Sequence, residues 1–289
     1  MGRRFGVVMV LAACILVWTH GAWAQGIGAM RKQIEVSMAV TGEITVSEHG
    51  SVIAHTLDKA EELPPGVVAF LQRQIPAWEF KPLQHESAPV RARNKMRVLL
   101  VAKKQEDDGY EMRVQAASFN AFSTAEGSSS DNGRMMPPRY PVAMARAGAS
   151  GSVYLILKVG RDGRVEDALA EQVNLRILAK APEMERMRQS FAASALQAAR
   201  EWSFTPPGQV ESGAAGYWTM RVPVDYMMGG MEVKYGRWVA YVPGPRSTAD
   251  WVDAELTKGS PEALESGMVG VLDKQALRLL TPLAGEAEG

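Results

Sequence analysis

Catalysis or metal binding would need histidines, cysteines or converging carboxylates, and this chain has few of the first two. Beyond the first twenty-five residues the histidines are His49, His55 and His85, all in the first third of the chain. None belongs to a His-Glu-x-x-His or similar ligand spacing, so each reads as a solvated turn or surface histidine. Cys14 is the sole cysteine. Ser130-Asp131-Asn132 spells one element of the β-lactamase signature but has no Ser-x-x-Lys or Lys-Thr-Gly companion, and it sits in a polar stretch. No Gly-x-Ser-x-Gly, Cys-x-x-Cys or phosphate-cradling glycine loop occurs. Met184, Met187 and Phe191 fall at helical spacing and read as core filling before they read as a sticky groove. Asp107-Asp108 and Lys103-Lys104 flank a turn as solvated charges. The chemistry that remains is backbone and side-chain recognition. No enzyme activity, cofactor or metal is expected.

The N-terminus reads as a secretory leader over residues 1–24. Arg3 and Arg4 make its basic start, residues 6–18 its apolar run, and Ala22-Trp23-Ala24 a peptidase site before Gln25. That run is short of the roughly twenty residues that cross a bilayer core. Leu11-Ala12-Ala13-Cys14 also resembles a lipoprotein box, though with an unusually short leader. Removing the leader takes the formal net charge from 0 to about −2, which gives no electrostatic reason to expect nucleic acid or an anionic membrane surface. Export predicts a periplasmic location. Without a disulfide, the fold must rest on core packing.

An internal repeat sets the domain plan. Trp78-Glu79-Phe80-Lys81-Pro82 matches Trp202-Ser203-Phe204-Thr205-Pro206, 124 positions later, and Met96-Arg97-Val98 matches Met220-Arg221-Val222 in the same register. Upstream, Gly50-Ser51-Val52 faces Gly163-Arg164-Val165 with a gap between the copies, the second being longer between its hairpin and its helix.

In the second copy Val153, Leu155, Leu157 and Val159 alternate with polar or larger residues, the period of a strand with one buried face. Asp162-Gly163 gives the hairpin turn and Val165 begins the return strand. Met184, Met187, Phe191, Ala195, Ala198 and Trp202 predict a helix that Pro206 and Pro207 stop. Residues 217–226 predict the last strand. The first copy has Ile44 and Val46 before its turn, a helix carrying Val67, Leu71 and Ile75 that ends at Pro76, and strands over 93–102 and 110–116. Ile34, Val36, Met38 and Val40 alternate ahead of it. The element order is therefore strand, strand, helix, strand, and the fold class α+β with two small domains. The boundaries are 30–117, a polar linker at 118–136 long enough to allow relative motion, 137–228, and a tail at 229–289. In the tail, residues 232–242 predict a strand. Ser260-Pro261 predicts a helix start, with Leu264, Met268, Val271 and Leu272 as its apolar stripe.

Pro138-x-Tyr140-Pro141, Ala143, Ala145, Gly148, Gly151-Ser152-Val153, Asp162-Gly163-x-Val165, Ala195 and Trp202-x-Phe204-x-Pro206 together resemble the TonB C-terminal domain over about ninety residues. The first copy resembles it only through its turn, its Trp-x-Phe-x-Pro and its final strand. The resemblance implies that each domain is a short antiparallel sheet with a helix packed on one face, and a role in passing inner-membrane energy to outer-membrane receptors. It also implies that the Tyr-Pro lead-in and the edge strand meet an extended receptor segment. On this chain the contact residues are then Arg139, Tyr140 and Pro141, with Thr219, Arg221 and Val222 on the candidate edge strand. An open edge offers unpaired N–H and C=O groups that such a segment completes. The partner implied is a TonB-dependent outer-membrane receptor, and the same edge can instead pair a second copy into a homodimer.

Three departures separate the chain from a simple energy transducer. Its leader reads as cleavable and no Pro-, Glu- and Lys-rich spacer follows it. Pro137 stands where the family has a glutamine three positions before the tyrosine. A second copy and a tail of about sixty residues are additions. The expectation is a periplasmic binding or adaptor protein that recognises an extended protein segment by strand addition. The alternative is a structural envelope or cell-wall-associated protein with no receptor partner.

Overall fold

A computed structural model describes residues 34–85, 88–105, 110–119, 123–124, 133–205, 216–229, 233–254, 257, 259–264, 268–272 and 277–283. The leader, Ser130-Asp131-Asn132 and Pro206-Pro207 lie outside these residues. Among the described residues no helix is long and apolar enough to cross a membrane.

The first half contains β1 (Glu35–Val46), β2 (Val52–Leu57), helix α1 (Pro65–Gln74), β3 (Leu83–His85), β4 (Ala88–Val90), β5 (Ala92–Lys104) and β6 (Tyr110–Ser118). The second contains β7 (Ser123–Thr124), β8 (Gly133–Arg134), α2 (Val142–Arg146), β9 (Gly151–Gly160), β10 (Val165–Leu175), α3 (Ala181–Ala199), β11 (Ser203–Phe204) and β12 (Tyr217–Tyr226). The tail adds β13 (Val239–Tyr241) and β14 (Met268–Val271). Besides the two-stranded pairs β8-β11 and β3-β4, two five-stranded antiparallel sheets result. One runs β13-β1-β5-β6, with β2 also on β1, and the other runs β10-β9-β12-β14-β7.

The two alternating patterns read separately at 34–40 and 44–46 are one strand. β1 continues through Thr41 and Gly42, and it buries Met38, Val40, Ile44 and Val46 on one face. Gly42 sustains this passage, since a Cβ there would lie 2.0 Å from the Thr56 carbonyl oxygen. Helix α1 starts with proline in its first turn and buries Val67 and Leu71, with Ile75 just past its end. Helix α3 buries Met184, Phe191, Ala195 and Ala199 against its sheet. The Glu183 carboxylate accepts a bond from the Lys180 N–H, closing the first turn.

Both halves lock the hairpin turn to the chain after the helix in the same way. In the first, Phe80 N–H donates to the Gly50 carbonyl at 2.8 Å; in the second, Phe204 N–H donates to the Gly163 carbonyl at 2.7 Å. Both glycines have positive φ, +92° and +78°. A Cβ would fall 2.0 Å from the Phe80 carbonyl oxygen and 1.9 Å from that of Phe204. Trp78 and Trp202, two residues earlier, are buried in the two separate cores that α1 and α3 close.

Four expectations need correction. The predicted tail helix at 260–272 is a 3-10 turn, Pro261–Ala263, followed by strand β14. Ser260 does cap the turn, its hydroxyl accepting from Glu262 N–H, but Leu264 is already extended and the glycines at 267 and 270 oppose helix continuation. The predicted strand at 232–242 is reduced to Val239–Tyr241. The linker is not uniformly unpacked: β7 pairs with β14 and β8 with β11. Phe119, assigned to that linker, is a buried core residue of the first half, edge-on to Trp78 and Phe80.

Replacing Gly163 or Gly50 by alanine drives a methyl into a carbonyl oxygen and forces a left-handed backbone on an L side chain. Each change should destabilise the fold by about 2 kcal/mol or more in urea unfolding, whereas Gly66→Ala, in open space on α1, should not.

Candidate strand-acceptor edge and the tail that covers it

The Tyr-Pro lead-in is anchored to the second core. The Tyr140 hydroxyl donates to the Ala149 carbonyl, and its ring stands edge-on to Phe191 at 5.9 Å and to Tyr226 at 5.6 Å. Phe191 stacks on Tyr226 at 4.6 Å. Burial raises the pKa of the Tyr140 hydroxyl. Ser194 donates to the Arg139 carbonyl at 2.5 Å, Trp202 Nε1 donates to the Met136 carbonyl at 2.8 Å, and Pro141 caps α2. Of the three predicted lead-in residues, Arg139 alone is exposed. Met136 and Val142 are exposed beside it, at 52% and 66%.

The predicted residues do not form one patch. Tyr140 meets β12 at its last residue, Tyr226, five positions from Arg221, roughly 16 Å along a strand. Thr219, Arg221 and Val222 are all buried. The Arg221 guanidinium grips both Glu171 oxygens, at 2.8 and 2.9 Å, and Arg246 from the tail reaches the same carboxylate at 2.6 Å. Glu171 is 1% exposed and Arg221 6%, so these two form a buried ion pair and not a solvated contact surface, with the exposed Arg246 reaching in from outside.

The backbone edge at 219–221 is also taken, which corrects the expectation of an open edge there. β14 pairs antiparallel with β12, Met220 facing Val271 and Arg221 facing Gly270, and Leu272 N–H donates to the Thr219 carbonyl at 2.9 Å. A helix reading of the tail hid this, because residues 264, 268, 271 and 272 fit a helical stripe as well as they fit a turn followed by a strand.

The tail reaches further than this edge. β13 pairs with the start of β1 through Glu35↔Tyr241 to Ser37↔Val239, and Val242 bridges to Leu175 at the end of β10, so one short segment touches both sheets. Gly244 and Ser247 donate to the Asn174 side chain and the Glu171 carbonyl of β10. Leu277 and Leu283 return to the first core, and Leu280 N–H donates to the Glu79 carbonyl.

At the centre lies Glu262. The Asn174 amide of the second half donates to one of its oxygens, and the Tyr241 hydroxyl lies 3.0 Å from the other. That hydroxyl is also 2.9 Å from Glu35 Oε2, and Glu35 in turn is paired with Arg113. Arg97 of the first half donates to the Glu262 and Ala263 carbonyls. One hydroxyl carries one proton and cannot donate to two carboxylates, so the arrangement favours a protonated Glu262. Burial raises its pKa from 4.5 to about 7. Tyr241 and Tyr154 are likewise raised by burial. Sequence reasoning missed Glu171, Tyr241, Arg246 and Glu262, since nothing local marks a carboxylate whose partners lie tens of residues away.

Among the described residues no group of three or more His, Cys, Asp or Glu is placed to hold a metal. His49 is exposed in its turn and His55 is half-buried on β2, where burial lowers its pKa. The described part of His85 is its backbone in β3.

Truncating Glu171 to alanine leaves Arg221 buried without its counter-charge and should cost about 3–5 kcal/mol in chemical denaturation. Joint replacement of Glu171 by leucine and Arg221 by methionine should cost much less. For Glu262, a pKa higher in the folded than in the unfolded chain means that the folded state holds the extra proton. Its stabilisation is therefore full below about 4.5 and lost as pH rises through about 7, a change of about 3 kcal/mol. Stability curves of the native chain and Glu262→Gln, measured from pH 4.5 to 8, should diverge: the native chain should weaken with pH over that window and the variant should be flatter.

The chain matches no family model and no solved structure. It is 33% identical over 94 residues to the proteins named Protein TonB of two Xanthomonas campestris pv. campestris strains, B100 and ATCC 33913. The match covers 32% of this chain and 36% of each of theirs, so the chain spans about a third of the length of these relatives. Over that third, this mixed α+β protein is similar to TonB.

Proposed function

We propose that this is a TonB-like periplasmic binding or adaptor protein, linked to TonB-dependent transport across the outer membrane, that recognises an extended protein segment by strand addition. The observation that carries the reading is the 94-residue similarity to TonB, joined to a helix-on-sheet half whose β12 is bordered by β9 on one side and by only a short strand on the other. The role is binding, without cofactor or metal. Arg139 is the exposed contact of the lead-in, while Tyr140 and Pro141 set its course by packing and capping. Thr219, Arg221 and Val222 contribute backbone and support, their side chains being buried.

The first half is, on this reading, a degenerate second copy of the same unit. The matching glycine-to-phenylalanine closures support it, as do the buried tryptophans two residues before each phenylalanine. A structural envelope role, with no receptor partner, draws support from one observation: the tail occupies part of the edge a partner would use.

A photo-crosslinking residue at position 139 tests the proposal in intact cells, because Arg139 is exposed where Tyr140 is not. The expected product is a crosslink to a TonB-dependent outer-membrane receptor, with no such product from a crosslinker at position 73 on exposed Arg73 of α1. Crosslinks confined to murein or envelope-assembly proteins would overturn it in favour of the structural role.

A further inference from the structure

We propose that β14 is a resident, exchangeable guest strand: it fills the acceptor edge of β12 in the resting chain, and an extended apolar peptide of a partner protein binds by displacing it. This rests on the strand-addition reading and adds a regulator and a peptide class to it.

The first argument is the contrast between the two halves. In the first, the strand β5 has the place that β12 has in the second, and β6 covers it over eight residue pairs, from Arg97↔Ser118 to Lys104↔Tyr110. In the second, β12 gives ten residue pairs to β9 but only two to β14, with one further bond from Leu272. A cover of that size is held by few backbone bonds, each of modest net worth in water.

The second argument is Pro223. Backbone groups of an antiparallel strand face its two edges alternately. Thr219 faces β14, so Arg221, Pro223 and Asp225 share that edge. Proline has no N–H, so the acceptor edge loses a donor just beyond Arg221. β14 keeps within this limit: its pairing with β12 ends at Gly270, and Val269 and Met268 pair with β7, the next strand of the sheet. The edge therefore accepts a short strand, whatever its source.

The third argument is the sequence of the resident. Met268-Val269-Gly270-Val271-Leu272 carries no charge, and Val269 and Val271 pack against the second core. Gly270, opposite Arg221, lies where a Cβ would come within 2.5 Å of Leu264 Cδ1. The competing segment is thus uncharged, β-branched on the core side and small opposite Arg221.

The test uses the full chain and a fluorescent, end-capped peptide of sequence Met-Val-Gly-Val-Leu, read by anisotropy. Leu272→Pro removes the donor to Thr219 and should bind the peptide at least ten-fold more tightly than the native chain. A second variant, Met220→Cys with Val271→Cys in a Cys14→Ser background, places two cysteines at a facing, non-hydrogen-bonded pair, where a cross-strand disulfide fits. Oxidised, it should bind no peptide; reduced, it should recover native affinity. Comparing two redox states of one molecule removes any effect of the substitutions on folding. Equal affinity of native and Leu272→Pro chains, with hydrogen exchange reporting an unprotected Arg221 amide in the variant, would overturn β14 as a competitor and leave strand addition standing. Absence of binding to that opened variant would instead overturn strand addition at β12, and equal binding by oxidised and reduced forms would overturn both.

Discussion

A strand whose side chains are buried still has two rows of backbone N–H and C=O groups to satisfy, and much of this molecule follows from how those rows are filled. β9 and β5 are flanked on both sides by long strands, and their alternate side chains serve the helix-side cores. β12 has β9 on one side only. Its other edge would be a template for any extended chain, including a second copy of this one. The tail answers that exposure with a short strand, and Pro223 of β12 itself shortens the usable edge.

The same tail joins the two halves, and it does so through polar groups as much as apolar ones. Apolar contact alone would bring the tail down without specifying its path, since leucines and valines accept many registers. The Glu171 cluster and the Glu262 node are selective, because a register slip of one residue would take Arg246 from Glu171 and leave the buried Glu262 carboxyl without its hydrogen-bond partners. Arg246 reaches Glu171 only when the tail lies along β10, and Glu262 meets Asn174, Tyr241 and Arg97 only when both halves are in place. The buried carboxylates thus act as address labels for a segment with little regular structure of its own.

Much of each half was legible in the residues because its signals are local. The alternation on β9, the Asp162-Gly163 turn, the stripes on α1 and α3 and the Trp-x-Phe motifs each occupy a window of under twenty residues and agree with one another. The joining of 34–40 to 44–46 into one strand was hidden by Thr41-Gly42, which looks like a break until Thr56 is seen lying against Gly42. Phe119 read as linker because its neighbours are polar, and only the Trp78 and Phe80 rings give it a place. The tail was misread for the deeper reason that its conformation is imposed by partners far away. Residues 260–272 have a cap, a proline and an apolar stripe, and a free helix would satisfy all three; the unpaired edge of β12 offers more. The lead-in was found, but its tyrosine turns inward to Phe191 and Tyr226, because an aromatic ring beside an open core gains more from burial than from solvent.

The tail's route has a consequence for how the halves communicate. Between β14 and the returning Leu277 and Leu283 lie few residues, and those leucines sit in the core that α1 and Trp78 close. Lifting β14 from β12 therefore works against contacts in the first half as well as those in the second, and a change that loosens the first core lowers the cost of lifting β14. Were an outside strand to take the β12 edge as proposed, the reciprocity of linked equilibria would weaken the packing of the first half by the same free energy that the first half contributes to holding β14. The first half, whose β5 is sealed by β6 where β12 is only lightly covered, would then act on this binding through the tail.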